Sequence, residues 1–431
     1  MPAGMENISQ LERRLDISLP PTEIDSEVQN RLRNLARKVK LDGFRPGKVP
    51  LKVVAQHYEE QVRREVLGDA LQKNFGDAVR AQNLKVAGYP RFEVRAGGPF
   101  QYSATFEIYP EVTIGDLSQA TIQRPQAQVE AADIDRTLQI MRRQRATFEP
   151  VTRAAATGDR VTIDYLGRID GQEFEGGRGA DAAVVLGEGR FLPDFENQLP
   201  GLEAGGARTF EIRFPQDYHA KELAGKTATF EVNLKRVEEV KLPPLDAEFA
   251  RTLGIEDGDL DRMRNEVRAN LEREIGQRVA LRVKEQVMQA LLDGTKVEIP
   301  KSLVEIEIEH LSAAARQDLE ARGIKTAGVP LPREVFEAQA QRRVKLGLIL
   351  AEVVRANGLQ AKPEQVRALA EERAQSYEQP EQVVQWIYQS PQRLRELESA
   401  VVEDNVVQWG LRSARVEDRP VTFDELMGQQ R

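Results

Sequence analysis

The residues of this chain whose types and spacing could do chemistry are mostly apolar. Tyr165, Phe174, Phe191, Leu192, Phe195, Tyr218 and Phe230 fall within one glycine-rich stretch, 151–243. Large rings in a small β domain form a core more often than a pocket, and composition alone leaves both readings open. As a pocket they would seat apolar groups and keep water out, which suits a reaction that breaks no covalent bond. Covalent and metal chemistry have little to work with. The chain has no cysteine, which removes disulfides, thiolate catalysis and cysteine-based metal sites. Its three histidines, His57, His219 and His310, lie far apart without ligand spacing, so no metal is expected. LGEGR and GGRGA look superficially like phosphate loops, but neither precedes a helix with a Lys-Ser/Thr pair, and no nucleotide or other cofactor is expected.

A second constellation is cationic. Between residues 31 and 52 stand Arg31, Arg33, Arg37, Lys38, Lys40, Arg45, Lys48 and Lys52, against the single anion Asp42. Residues 1–110 are net positive in a chain whose formal charge is −8. A patch of that density on an acidic chain points to a polyanionic partner at one end, although a solvated helix face is the commoner meaning of a charge run. Within LDGFRPGKVP (41–50), Gly43, Pro46, Gly47 and Pro50 rule out a helix and leave a stiff cationic loop with one aromatic, Phe44.

The elements that must position these residues follow from periodicity. LERRLDISL (11–19) alternates as a strand and ends at Pro20-Pro21. Val28, Leu32, Leu35, Ala36 and Val39 repeat at helical spacing, which puts the cations of 31–40 on the outer face of a short helix. A long helix runs from Val53 to Val79, and FEVRA (92–96) with FQYSATFEIYP (100–110) closes an α+β unit. Residues 111–150 hold one helical pattern, Ile134, Leu138 and Met141, in what reads as a connecting arm. From 151 short alternating strands and glycine turns mark a β domain, which the paired prolines of KLPPLD (241–246) end.

Beyond 246 the pattern is helical, with Leu260, Met263, Val267, Leu271 and Ile275 on one helix. Val344, Leu348, Ala351 and Val354 run along another that stops at Asn357-Gly358. Pro330, Pro332, Pro363, Pro380 and Pro391 fall where helices start or turn, and SLVEIEIEH (302–310), although it alternates, reads as helix from its neighbourhood. The most apolar run, LGLILAEVV, is broken by Glu352, and MPAGMENISQ has no basic segment followed by an apolar one. A cytoplasmic protein with no membrane partner is expected.

VTIDYLGRIDGQEFEGG, LGEGRFLPDFENQLPGLEAGG, FPQDYHAKELAGK and ATFEVNLKRV, in that order, resemble an FKBP-type peptidyl-prolyl isomerase domain. The resemblance implies an antiparallel sheet crossed by a short helix, and pocket positions at Tyr165, Phe174, Leu192, Phe195, Tyr218 and Phe230 with His219 beside them. Two departures stand out. The indole usual at the pocket floor is Phe195 here, and Asp194 stands where glycine is usual, a residue expected to tolerate a left-handed backbone if the turn needs one. The chemistry fits such a pocket. Rotation about an X-Pro bond meets a barrier of about 18 to 20 kcal/mol because amide resonance must be lost, yet no bond breaks. A gain of roughly 10³ to 10⁵ in rate needs only about 4 to 7 kcal/mol.

With that domain in the middle, the whole chain resembles the bacterial trigger factor family. GFRPGKVP (43–50) matches the family's ribosome-binding signature, LERRLDISLP its first strand, and LPREVFEAQAQRRVKLGLILAEVVRANGL its C-terminal arm helices. The resemblance implies a multidomain α+β protein: an α+β N-terminal ribosome-binding domain (1–110), a linker arm (111–150), an FKBP-like antiparallel β domain (151–243) and an elongated all-α C-terminal chaperone domain with arms (244–431). It implies an ATP-independent chaperone and prolyl isomerase whose partners are the large ribosomal subunit, through exit-tunnel protein and rRNA, and nascent and unfolded polypeptides. For the free protein a homodimer is among the states it allows. Gly43, Phe44, Arg45, Pro46, Gly47, Lys48 and Pro50 are the implied ribosome contacts.

Overall fold

The computed structural model describes residues 5–41, 44, 48–95, 98, 100–218, 220–324, 331–375, 377 and 379–428. They form two compact units, Met1–Arg124 with Ala280–Arg419, and Pro125–Val279 with Pro420–Arg431. The expected multidomain α+β class, with a helical C-terminal region, is what the chain adopts.

The first unit begins with strands β1 (Met5–Asn7) and β2 (Glu12–Ser18) and helices α1 (Pro21–Ala36) and α2 (Leu51–Ala81). Strands β3 (Val86–Val94) and β4 (Gln101–Ile108) follow. The strands form an antiparallel sheet in the order β1-β2-β4-β3. Alternation in β2 buries Leu15 and Ile17, which meet Val28 and Leu32 of α1 and Val62, Val66 and Phe75 of α2 in one core. Pro20 and Pro21 start α1, where a missing N–H costs nothing. The helix is shorter than its apolar spacing predicts. It ends at Ala36, so of the expected outward cations only Arg31 and Arg33 are helical, Arg37 caps the end, and Lys38 and Lys40 lie in the turn beyond. Val39 still packs on the core, which is why the periodicity overshoots. Strand β3 starts six residues earlier than FEVRA because its register slips between Ala87 and Arg91, around Gly88 at φ 74, and this bulge hides the alternation.

Next come β5 (Thr121–Gln126), α3 (Ala131–Gln144), β6 (Thr147–Val151), β7 (Arg160–Ile169), β8 (Gln172–Val185), α4 (Pro193–Glu196), β9 (Ala207–Arg213) and β10 (Thr227–Lys241). The second unit's sheet runs β6-β10-β7-β8, with β9 also paired to β10, and every pairing is antiparallel. The β7–β8 turn is the dipeptide Asp170-Gly171, both with positive φ (51 and 80), the two-residue hairpin solution. Helices α5 (Ala247–Thr252) and α6 (Leu260–Gly294) come after the sheet. Within this unit Ile134 and Leu138 of α3 pack with Phe249 of α5 and with Met263, Val267, Leu271 and Ile275 of α6, the expected stripe except for Leu260, which is exposed at the start of the helix.

The remaining elements are α7 (Lys301–Ala321), α8 (Glu334–Asn357), α9 (Pro363–Ala374), α10 (Pro380–Tyr388), α11 (Pro391–Ser413), β11 (Arg415–Pro420) and α12 (Phe423–Met427). SLVEIEIEH lies inside α7, and α8 stops at Gly358, φ 62, as its glycine requires. Pro363, Pro380 and Pro391 each open a helix, while Pro330 lies outside the described residues. In the first unit Glu107 of β4 ties the sheet to α7. Its carboxylate accepts from the Lys301 and Ser302 N–H groups at 3.0 and 2.7 Å, two of the donors a helix start leaves unpaired. Gly410 of α11 lets that helix approach Val287. Among the described residues no helix is long and apolar enough to cross a membrane.

Candidate functional site

Register brings the aromatic side chains together. Phe230 on β10 pairs with Gly167 on β7, and Tyr165 on β7 pairs with Gly179 on β8. A glycine opposite gives a ring room to lie across the neighbouring strand. A Cβ on Gly167 would stand 2.6 Å from the Phe230 ring, and one on Gly179 would overlap Tyr165. Helix α4 then lowers Phe195, 1% exposed, into the middle of the group. Its ring stacks on Phe191 at 5.0 Å and meets Phe230, Phe210 and Tyr165 edge-on at 5.2, 5.3 and 6.0 Å. Phe174 stands edge-on to Phe230 and Phe214 at 6.1 and 5.9 Å, and Phe214 lies 4.8 Å from Tyr218.

The result is a cavity of about 560 Å³ whose walls include Tyr165, Phe174, Leu192, Phe195, Tyr218 and Phe230. The two readings open in the sequence are therefore both true of one ring cluster: Phe195 and Phe230 are core, and their neighbours face a cavity. His219 lies outside the described residues. Asp194 is a residue of α4 and is not among those with positive φ, so the left-handed backbone it was expected to tolerate is not needed.

Phe191, in the sequence cluster but not among the positions the resemblance implies, is a wall residue too, and Ile212, Phe214 and Leu223 were missed. So was Glu196. This carboxylate is 5% exposed and has no cation beside it among the described residues. Its Oε2 accepts from the Gly187 and Gly189 N–H groups at 2.9 and 3.3 Å, and its Oε1 from the Phe191 N–H at 2.9 Å. Gly187 and Gly189, at φ 93 and 72, turn the loop so that its amides converge. At the base of the same domain the Arg153 guanidinium holds the buried Asp159 carboxyl below the usual carboxylate range, and Arg160 does the same to Glu238.

Residues 151–235 match the family model described as FKBP-type peptidyl-prolyl cis-trans isomerase. Residues 1–141 match that of the bacterial trigger factor protein, and 259–411 that of the bacterial trigger factor C-terminus. A trigger factor of Nitrosospira multiformis is 54% identical over 434 residues, covering 100% of both chains. The chain belongs to the trigger factor family. Trigger factors of Aromatoleum aromaticum and of an Azoarcus species are 53% and 52% identical, covering 99% and 97% of this chain and 99% and 96% of their own. As a trigger factor the chain is a chaperone carrying an FKBP-type peptidyl-prolyl isomerase domain.

Two further regions of this trigger factor expose apolar or cationic side chains. Of the basic loop, Gly43, Arg45, Pro46 and Gly47 lie outside the described residues. Phe44 is 40% exposed, its N–H donates to the Leu41 carbonyl at 3.1 Å, and Val49 is buried in the core beside the exposed Lys48. Arg31 is committed within its own domain, to Glu27 at 3.0 Å and Asp69 at 2.7 Å. Also in the first unit, a groove of about 1090 Å³ is lined by Tyr109, Val112, Leu303, Ile306, Val344, Leu348 and Ala351. Charged residues, among them Glu352 and Arg355, edge the groove. The Arg355 guanidinium binds both Glu352 oxygens and holds that carboxyl below the usual range.

Proposed function

We propose that this chaperone docks beside the ribosomal exit tunnel through GFRPGKVP, shields newly made chains without ATP, and isomerises their X-Pro bonds in the 560 Å³ cavity. The observation that carries the catalytic assignment is the meeting of Tyr165, Phe174, Leu192, Phe195, Tyr218 and Phe230, spread over the sequence, in one cavity. His219 is assigned by its place next to Tyr218 in the chain. Phe195 and Phe230 seat the proline ring, and Tyr165 and Tyr218 border the seat. The twisted amide is less delocalised and less polar than the planar one, so a water-poor aromatic seat favours it over the ground state. Phe195→Ala in the full chain is expected to lower kcat/KM on a short prolyl peptide at least tenfold. Undiminished activity would sink the assignment.

For docking, Val49 anchors one end of a loop that presents Phe44 and Lys48 to solvent. Phe44 supplies the apolar contact, while Arg45, Lys48 and the cations Arg33, Arg37, Lys38 and Lys40, unpaired among the described residues, face rRNA phosphate or acidic protein and respond to salt. Gly43, Pro46, Gly47 and Pro50 shape and stiffen the tip. A Phe44/Arg45/Pro46 to alanine variant should lose ribosome co-sedimentation, and wild-type binding would refute the docking role. The division into 1–110, 111–150, 151–243 and 244–431 assigns docking, connection, isomerisation and chain holding in that order, in a cytoplasmic and partly ribosome-associated protein. The apolar groove between α7, α8 and the end of β4 supports the holding role, so a chain lacking 151–243 should still suppress aggregation of an unfolded client.

A further inference from the structure

The buried carboxylate of Glu196 is unexplained by the cavity walls. It pairs with no cation among the described residues, yet three backbone N–H groups of the 187–191 loop point at it. That loop delivers Phe191 and Leu192, both cavity walls, and the Phe191 ring stacks on Phe195, the residue just before Glu196. One four-residue helix therefore sends Phe195 into the cavity and, from the next position, a carboxylate to the backbone of a loop that lines it.

We propose that Glu196 is a positioning residue of the isomerase, setting catalysis through the loop 187–191 rather than by touching substrate. The proposal builds on the reading of the aromatic cavity as the isomerase site. Charge-assisted bonds to backbone donors are roughly twice as strong as neutral ones, and both Glu196 oxygens are used, so the loop is held from two sides. An amide cannot replace it. Glutamine offers one acceptor oxygen and turns an NH₂ group toward donors on the other side, leaving at least one part-buried N–H without its carboxylate acceptor. The loop then relaxes and Phe191 and Leu192 drift from their places, where a displacement on the order of 1 Å can cost about 100-fold in rate.

The test is Glu196→Gln in the full chain. Cis/trans exchange of a short unstructured peptide with one Leu-Pro bond is followed by NMR, with Phe195→Ala measured alongside. The expected result is a fall in kcat/KM of about 10- to 100-fold per folded molecule, mostly in kcat. Folding is checked by near-UV circular dichroism at the assay temperature. A merely structural residue would lower the unfolding temperature and leave kcat/KM per folded molecule unchanged, and that outcome overturns the proposal. If Phe195→Ala is slow while Glu196→Gln is fast, only the positioning role fails; if both are fast, the site itself is wrong. Should Glu196→Gln not fold, Gly189→Ala strains the same loop at φ 72 with the carboxylate in place, and full activity there counts against the proposal just as firmly.

Discussion

Replacing Gly167 by alanine separates stability from catalysis in a way the geometry dictates. Gly167 lies directly across from Phe230, and its new Cβ would stand 2.6 Å from the Phe230 ring and 3.0 Å from the Phe174 ring. Carbon atoms rest at about 3.5 to 4.0 Å, so Phe230 must retreat by roughly 1 Å. It has nowhere easy to go, because Phe195 stands 5.2 Å away on one side and Phe210 is stacked at 6.3 Å. Overpacking of this kind costs about 1 to 3 kcal/mol. Against that, Gly167 has no positive φ, and alanine in a strand recovers about 0.5 to 1 kcal/mol relative to glycine. The net is a loss of roughly 0 to 2.5 kcal/mol, which at about 4 to 8 °C per kcal/mol lowers the unfolding temperature by at most about 20 °C. With the aromatic cavity as the proposed seat, catalysis has no such offset, and kcat/KM should fall about 10- to 100-fold. Prolyl peptide exchange and calorimetry on the same sample give both numbers. A Gly167→Ala protein with wild-type kcat/KM would refute the claim that the ring positions on β7 and β10 set the reaction.

Three other outcomes follow from packing and charge. Glu107→Ala removes the acceptor for two α7 N–H groups and should cost about 1 to 2 kcal/mol, seen as faster hydrogen exchange at Lys301 and Ser302; unchanged exchange would mean the cap is not used. Gly410→Ala places a Cβ 2.5 Å from Val287 and should destabilise the first unit despite alanine's better helix propensity. Val287→Ala in the same chain should restore part of the loss, and strict additivity would contradict the contact. Asp159 is held below its ordinary pKa by Arg153, with Nη2 at 2.9 Å, so its folded pKa lies under its unfolded one. Its contribution is full above about pH 4 and disappears as pH falls through the depressed value. Asp159→Asn should therefore lower the isomerase domain's unfolding temperature at pH 7 and flatten its decline in acid, and an acid limb as steep as wild type's would exclude Asp159 as its source.

Much of this was legible in the chain. Strong periodicity placed α2, the α6 stripe and the end of α8 at Gly358, because apolar spacing and a left-handed stop are local properties. What escaped was set by partners distant in sequence. The early start of β3 is hidden by the bulge around Gly88, and the overshoot of α1 comes from Val39 packing on the core without being helical. Phe214 carries no local mark of its role, since it follows the end of β9 and reaches the cavity only once the sheet has formed. Glycines in GGRGA carried a false phosphate signal, when Gly179 is there to make room for Tyr165. Nothing local marks Glu196 as the acceptor of its own loop, since converging amides exist only once Gly187 and Gly189 have turned.

The way the two units share the chain has a consequence for how the protein is made. The first unit joins Met1–Arg124 to Ala280–Arg419, and the Ser302 N–H reaches Glu107 across 195 positions. At about 5 to 20 residues per second, the sheet that holds Glu107 waits roughly 10 to 40 s for its helix to be synthesised. During that wait the whole of Pro125–Val279 is produced, so the later unit's main segment is available to fold before the earlier unit can close. Ribosome-bound chains stopped near residue 280 should already hold a protease-resistant isomerase core, with Glu107 still unpartnered by α7. A chaperone built this way is, for most of its own synthesis, an unfinished client.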